Sequence, residues 1–311
     1  MNGSSDEFLQ NARRHFEQGQ PQKAKILLQE ILPDNLDSEE IKFAIKCADF
    51  WTEPVSQLEF LASDFERGSL LIAKWQSFQD EFLPTQKRQF EPYIHSIKRG
   101  TYLSALRYLS GIGEERDLRQ KAEILRRIGL CHKRLGDYDK ALQFLQDANS
   151  TLQGLFAEMI AEMADCYALS GDDMYAKLMF KEAFRIDAQK IRLDWLDSEL
   201  IRRLVHTVRA EGYSGAQLLE WIPVYGRLYG VLNQPRELRS AEAGQLKQEV
   251  YTKENEYKNP ACDASLLVPK LINLYFWLMD YYSSLDGGEA RINEIMLKIK
   301  LLSPEIHAKL Q

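Results

Sequence analysis

Two neighbouring stretches decide the predicted fold: AEILRRIGLCHKRLGDYDKALQFLQDANS (residues 122–150) and AEMIAEMADCYALSGDDMYAKLMFKEAFR (residues 157–185). Aligned at an offset of 35 residues, they match Cys131 with Cys166, Gly136 with Gly171, and Ala141 with Ala176. Self-similarity at a fixed period of this length is typical of architectures built from stacked structural units. The sequence therefore predicts two consecutive copies of one unit in this region.

A glycine followed five residues later by alanine recurs along the chain, at Gly19 and Ala24, Gly68 and Ala73, Gly100 and Ala105, Gly136 and Ala141, and Gly171 and Ala176. Glycine just past a helix end adopts the left-handed conformation without a Cβ penalty. The alanine would let the next helix pack closely, and the apolar residues four positions further on would share its face. These residues are Leu28, Leu109, Leu145 and Phe180. Each unit is therefore predicted to be an antiparallel helix pair.

The two strongest units resemble the tetratricopeptide repeat (TPR) family at eight positions each. In the first unit they are Leu125, Ile128, Gly129, Gly136, Tyr138, Ala141, Leu145 and Ala148, and in the second Ile160, Met163, Ala164, Tyr167, Gly171, Ala176, Phe180 and Ala183. The chain departs from the family at His132 and Asp173, which replace usual aromatics, and both units are one residue longer than the family's 34. The resemblance implies an all-α fold, a right-handed α-solenoid of antiparallel helix pairs.

The domain organisation follows the strength of the repeat signal. Residues 1–190 are predicted to form irregular TPR-like repeats, with an extra helix near residues 38–52 that begins at an N-cap serine, Ser38. Residues 191–311 are predicted to form divergent helical hairpins and a C-terminal cap. Pro223 is expected to kink or interrupt the second helix of the pair around Gly212.

Composition and charge exclude several classes of protein. With 40 basic and 46 acidic residues the net charge is −6, so no global field favours nucleic acid or an acidic membrane. The most apolar segment, residues 264–282, is interrupted by Lys270, Asn273 and Asp280, and is predicted to be a buried helix rather than a membrane span. The N-terminal residues lack the pattern of a secretory signal, so a cytoplasmic location is expected.

Motifs for catalysis, cofactors and metals are missing from the sequence. There is no P-loop, no HExxH and no GxSxG, and the five histidines lie on different predicted helices, so we predict no enzyme activity and no cofactor. Asp137 and Asp139 suggest a calcium loop, but the glycine and the final glutamate that such a loop needs are absent. The four cysteines are far apart, which favours buried thiols over a zinc site or disulfides.

Charged residues on the first helix of each pair are the candidate partner contacts, because the resemblance implies that these helices line a concave groove. The candidates are Arg126, Arg127, Lys133, Arg134, Glu162, Asp165, Arg202, Arg203 and Arg209. One interpretation is that they form ordinary solvated helix faces. The other is a groove whose arginines pair with carboxylates of a bound peptide. Leu130 and Glu162 replace the asparagines of the family's chaperone-binding carboxylate clamp, so that specific activity is not expected.

The predicted function is a noncatalytic scaffold that binds a segment of a partner protein with acidic groups. One alternative is a self-assembling structural protein that forms a homo-oligomer through the C-terminal aromatic helix. Core packing is the favoured interpretation of the aromatic residues on this helix, and an interaction surface is the other; they are Tyr275, Phe276, Trp277, Tyr281 and Tyr282. The other alternative is a carrier that holds a small hydrophobic ligand in the superhelix interior.

Overall fold

The structure of the chain is a computed structural model that describes residues 2–152 and 156–310, with side chains from residue 6 onward. Within these residues it is all-helical, without a β-strand. The chain divides into two compact units, Met1–Gln153 (the N-terminal unit) and Gly154–Gln311 (the C-terminal unit). The predicted domain boundary at residue 190, which depends on where the repeats become irregular, stays a prediction.

The N-terminal unit contains seven α-helices within its described residues. They are α1 (Asn2–Glu17), α2 (Pro21–Ile31), α3 (Glu39–Gln57), α4 (Asp64–Ser77), α5 (Glu91–Ser110), α6 (Leu118–Leu135) and α7 (Tyr138–Thr151). Helix α5 packs against α1, α4 and α6, and α6 packs against α7. Helix α3 confirms the extra helix predicted near residues 38–52, and the Ser38 hydroxyl accepts a hydrogen bond from the Ile41 N–H at its start.

The C-terminal unit contains eight α-helices within its described residues. They are α8 (Ala157–Leu169), α9 (Asp173–Asp187), α10 (Glu199–Ala210), α11 (Gly215–Leu228), α12 (Ser240–Tyr257), α13 (Ala264–Ser283), α14 (Glu289–Leu302) and α15 (Pro304–Lys309). Helices next to each other in sequence pack in pairs, and α13 also packs against α11. Helix α11 runs through Pro223, so the predicted interruption at this proline is wrong.

Three of the five glycine–alanine pairs confirm the predicted helix turns. Gly19, Gly136 and Gly171 have φ values of +69°, +86° and +92° and lie one or two residues after the end of a helix. Their partner alanines, Ala24, Ala141 and Ala176, are fully buried, as are the apolar residues Leu28, Leu145 and Phe180 on the same helix faces. The helix pairs α1/α2, α6/α7 and α8/α9 therefore each have a left-handed glycine in the turn and a small buried residue where the second helix packs on the first.

The other two pairs do not mark turns, and their prediction as helix stops is wrong. Gly68 lies inside α4 and Gly100 inside α5. Both allow a close approach: a Cβ on Gly68 would lie 2.7 Å from Leu109 Cγ, and one on Gly100 would lie 1.9 Å from the Phe16 carbonyl oxygen. At these two positions the glycine allows two helices to pack closely and does not form a turn.

The C-terminal aromatic residues belong mostly to the core. Tyr275, Phe276 and Trp277 on α13 are buried, which confirms the core interpretation for them, while Tyr281 and Tyr282 are half-buried. Among the described residues, no helix has both the length and the apolar character that crossing a membrane requires.

Three of the four cysteines, Cys47, Cys131 and Cys166, are buried as predicted, whereas Cys262 is only half-buried, so the prediction is wrong there. Burial raises the pKa of the Cys131 thiol to about 12. Because the thiolate is the reactive form, this thiol is inert at neutral pH.

Candidate functional site

The nine predicted partner contacts differ in how far the structure exposes them. Five are buried: Arg126, Lys133, Arg134, Glu162 and Asp165. Arg127 is half-buried, and Arg202, Arg203 and Arg209 are exposed. The four residues of α6 lie in the N-terminal unit and the five of α8 and α10 in the C-terminal unit. An approaching peptide therefore finds only the α10 arginines fully accessible.

On α6, Arg127 makes contacts that hold its own unit together. Its Nε donates a hydrogen bond to the Glu123 carboxylate at 2.7 Å, its guanidinium also donates to the Ser69 hydroxyl, and it lies 4.5 Å from the centroid of the Phe65 ring. Ser69 and Phe65 belong to α4, so Arg127 joins α6 to α4. Ion pairing, hydrogen bonding and a cation–π contact together give this side chain a structural role.

Asp165 on α8 anchors the beginning of α10. Its Oδ1 accepts a hydrogen bond from the Ser198 N–H and its Oδ2 from the Asp197 N–H, both at 2.8 Å. These donors lie at the helix N-terminus, where backbone N–H groups lack intrahelical partners and the helix dipole favours a negative charge. Since Asp165 is 0% exposed, its visible role is to fix α10 in place.

Replacing Asp165 with asparagine is expected to destabilise the C-terminal unit by about 1–2 kcal/mol, because one of the two acceptors becomes an amide donor and the charge is lost. Urea unfolding followed by circular dichroism measures the change. Asp173→Asn, an exposed aspartate in the first turn of α9, is the control and should change stability by less than about 0.5 kcal/mol. Equal effects of the two variants would contradict the anchoring role.

Helix α10 carries an exposed basic face because its sequence is strongly amphipathic. Ile201, Leu204, Val205 and Val208 are buried against the unit. The opposite side exposes Arg202, Arg203, His206 and Arg209, which we call the basic face. These four residues follow helical spacing and share one side of α10.

The ion pairs of the basic face are local and solvent-exposed. Arg202 contacts the Asp197 carboxylate at 2.6 Å, and Arg203, whose side chain is 77% exposed, pairs with Glu199 one turn away. Arg209 has no ion-pair partner among the residues that the structure describes. Exposed pairs of this kind contribute about 0–1 kcal/mol, so the arginines can exchange these partners for an incoming carboxylate at little cost.

A surface cavity of ≈ 710 Å³ lies along one side of α10, and we call it the α10 groove. Its walls come from α8, α9, α10 and the segment after α11, and it is lined by Ala168, Leu169, Asp173, Lys177, Ser198, Glu199, Leu200, Arg203, Leu204, Thr207, Tyr229 and Val231. Arg203 belongs both to the basic face and to the groove. The site thus combines an apolar recess, formed in part by Leu200 and Leu204, with a charged lining in which Arg203 and Lys177 are basic and Asp173 and Glu199 are acidic.

Sequence reasoning missed most of the groove, including Lys177, Leu200, Leu204 and Tyr229. Tyr229 is held in the wall by Glu211, which accepts a hydrogen bond from its hydroxyl at 3.0 Å. Glu211 also binds Lys309 Nζ at 3.0 Å, and this contact is the main cause that lowers the pKa of its carboxyl. The apolar spacing of α10 was the one sequence signal that could have separated exposed from buried candidates.

The described residues contain no group of three or more His, Cys, Asp or Glu side chains placed to hold a metal ion. In comparisons with known proteins, no family model matches the chain and no curated protein is significantly similar to it. The candidate site therefore rests on the geometry of the C-terminal unit.

Proposed function

We propose that this protein is a noncatalytic scaffold, an α-solenoid of TPR-like helix pairs, that binds an acidic segment of a partner protein on α10. The observation that carries the proposal is the basic face of α10 beside the α10 groove, both in the same unit. Charged guanidinium groups next to an apolar recess supply the two kinds of contact that peptide recognition uses.

The dimensions of α10 define the length of the bound segment. Its 12 residues make a helix about 18 Å long. An extended peptide rises about 3.3 Å per residue, so about five or six residues cover the face. Acidic side chains of that segment would pair with Arg202, Arg203 and Arg209, and an apolar side chain would enter the groove near Leu200 and Leu204.

Electrostatics makes the proposed contact local and sensitive to salt. The chain as a whole has a net charge of −6, which repels an acidic partner at long range. Attraction therefore depends on the basic face itself, and exposed charges are screened beyond about 8 Å at physiological ionic strength. Affinity for the partner should fall steeply as salt is added.

The burial of the aromatic residues on α13 bears on the self-assembly alternative. A homo-oligomer built on the C-terminal aromatic helix would need those rings at the surface, whereas Tyr275, Phe276 and Trp277 are in the core. The cytoplasmic location stays a prediction. The proposed scaffold needs no cofactor.

The test removes two charges of the basic face while keeping the helix propensity of the two positions nearly unchanged. The double variant Arg203→Gln with Arg209→Gln should retain the fold, because both side chains are exposed. Partners captured on the full chain from native lysate at about 0.15 M salt are identified by mass spectrometry, and the binding segment is made as a peptide. We expect the double variant to bind that peptide at least tenfold more weakly.

The matched control is Arg291→Gln with Lys300→Gln, which removes two exposed charges from α14 in the same unit. It should bind the peptide within twofold of the natural chain. Equal loss in both double variants would show a general charge effect, and no loss in either would place the partner elsewhere. Both results would overturn the proposed site.

A further inference from the structure

The N-terminal unit contains a cavity of ≈ 230 Å³, which we call the N-terminal cavity. It lies where the α1–α2 turn, α3, α4 and α5 meet, and it is separate from the α10 groove, which belongs to the other unit. An inference about this cavity therefore does not rest on the proposed peptide binding.

The inner wall of the cavity is apolar and includes an indole. Trp51, Leu58, Leu71 and Ile97 line it and are buried. A wall of this kind favours contact with an apolar part of a ligand.

The outer part of the cavity is polar and carries positive charge. Arg107 on α5 is exposed, and none of the residues that line the cavity is acidic. No described residue forms an ion pair with Arg107. The N-terminus of α2 adds to this potential, because Gln20 and Pro21 line the cavity and no side chain caps the helix there. An anionic group at this end would meet a guanidinium and a positive helix end.

The volume limits the size of the molecule. A dry cavity of about 150 Å³ lined by apolar side chains holds benzene. A cavity of ≈ 230 Å³ therefore accommodates one ring and a short acidic group.

We propose that the N-terminal cavity binds a small carboxylate that carries one apolar ring. The ring packs among Trp51, Leu58 and Leu71, and the carboxylate pairs with Arg107. Guanidinium and carboxylate match in a bidentate geometry, which fixes the orientation of the ligand. This gives the N-terminal unit a ligand-binding role in addition to the scaffold role of the C-terminal unit.

Phenylacetate is the probe, and isothermal titration calorimetry on the full chain is the measurement. We expect saturable binding at one site. Arg107→Gln should weaken it at least tenfold, whereas Arg99→Gln, which removes an exposed charge two turns away on the same helix, should leave it within twofold. Phenylacetamide, which has the same ring and no charge, should bind more weakly than phenylacetate and should be insensitive to Arg107→Gln.

A second variant tests the location independently of charge. Val55 lines the cavity and is half-buried, so Val55→Phe should fill the cavity and abolish phenylacetate binding while circular dichroism shows an unchanged helix content. If this variant unfolds, the comparison of Arg107→Gln with Arg99→Gln remains decisive. The proposal is overturned if the natural chain shows no saturable binding, if the two arginine variants behave alike, or if a folded Val55→Phe chain binds normally.

Discussion

Replacing Asp280 with asparagine is expected to destabilise the C-terminal unit by about 3–4 kcal/mol. The Asp280 carboxylate forms ion pairs with Lys181 on α9 and with Arg227 on α11, the latter at 2.8 Å. Lys181 is 4% exposed, and its Nζ also donates to the Gln234 carbonyl at 2.8 Å and lies 4.6 Å from the centroid of the Trp277 ring. Losing the carboxylate leaves a buried ammonium without its counter-charge.

Burial is the dominant influence on Lys181. It lowers the pKa of this side chain, outweighing the Asp280 carboxylate, which raises it. Arg227 is more exposed than Lys181 and can turn its guanidinium toward water when Asp280 is replaced by a neutral residue. The cost of the substitution therefore falls mainly on the Lys181 ammonium.

A double-mutant cycle tests this explanation. Lys181→Met should cost less than Asp280→Asn, because the remaining carboxylate keeps Arg227 as its partner. Combining Lys181→Met with Asp280→Asn should be less destabilising than the sum of the two, since no buried ammonium remains. Urea unfolding gives the free energies of unfolding. Additive effects would show that the pair is not coupled and would refute the explanation.

Replacing Gly100 with alanine is expected to destabilise the N-terminal unit by about 3 kcal/mol, because α5 must move away from α1. The added Cβ would lie 1.9 Å from the Phe16 carbonyl oxygen and within 3.1 Å of two further backbone carbon atoms of Phe16 and Glu17. Backbone atoms of a neighbouring helix end cannot give way as the tip of a flexible side chain can. The strain outweighs the gain in helix propensity, which is about 1 kcal/mol.

Gly244→Ala is the matched control, since Gly244 also lies inside a helix, α12, but a Cβ added there would meet no atom of a neighbouring element within 4 Å. It should stabilise the C-terminal unit by about 0.5–1 kcal/mol through helix propensity alone. Urea unfolding compares the two variants. If the free energy of unfolding changed in the same direction for both variants, the close approach at Gly100 would not affect stability.

The predicted partner contacts show that the sequence could not predict which charged side chains are exposed. Position within a repeat predicted the same role for Arg134 on α6 and Arg203 on α10, yet Arg134 is buried and Arg203 is exposed. Whether a side chain is exposed depends on which helices cover it, and those helices lie far away in sequence. Asp165 illustrates the same point, because the backbone donors that it binds are 32 and 33 residues further along the chain.

The sequence by itself determined the all-helical class, the extra helix α3 and the turns at Gly19, Gly136 and Gly171, because these features depend on contacts within a few residues. Tertiary structure alone decided that Gly100 allows a close helix approach, that Asp165 anchors α10, and that the exposed members of the predicted partner contacts are those of α10. These features depend on which distant helices pack together, and the residues near each position in sequence do not determine that packing.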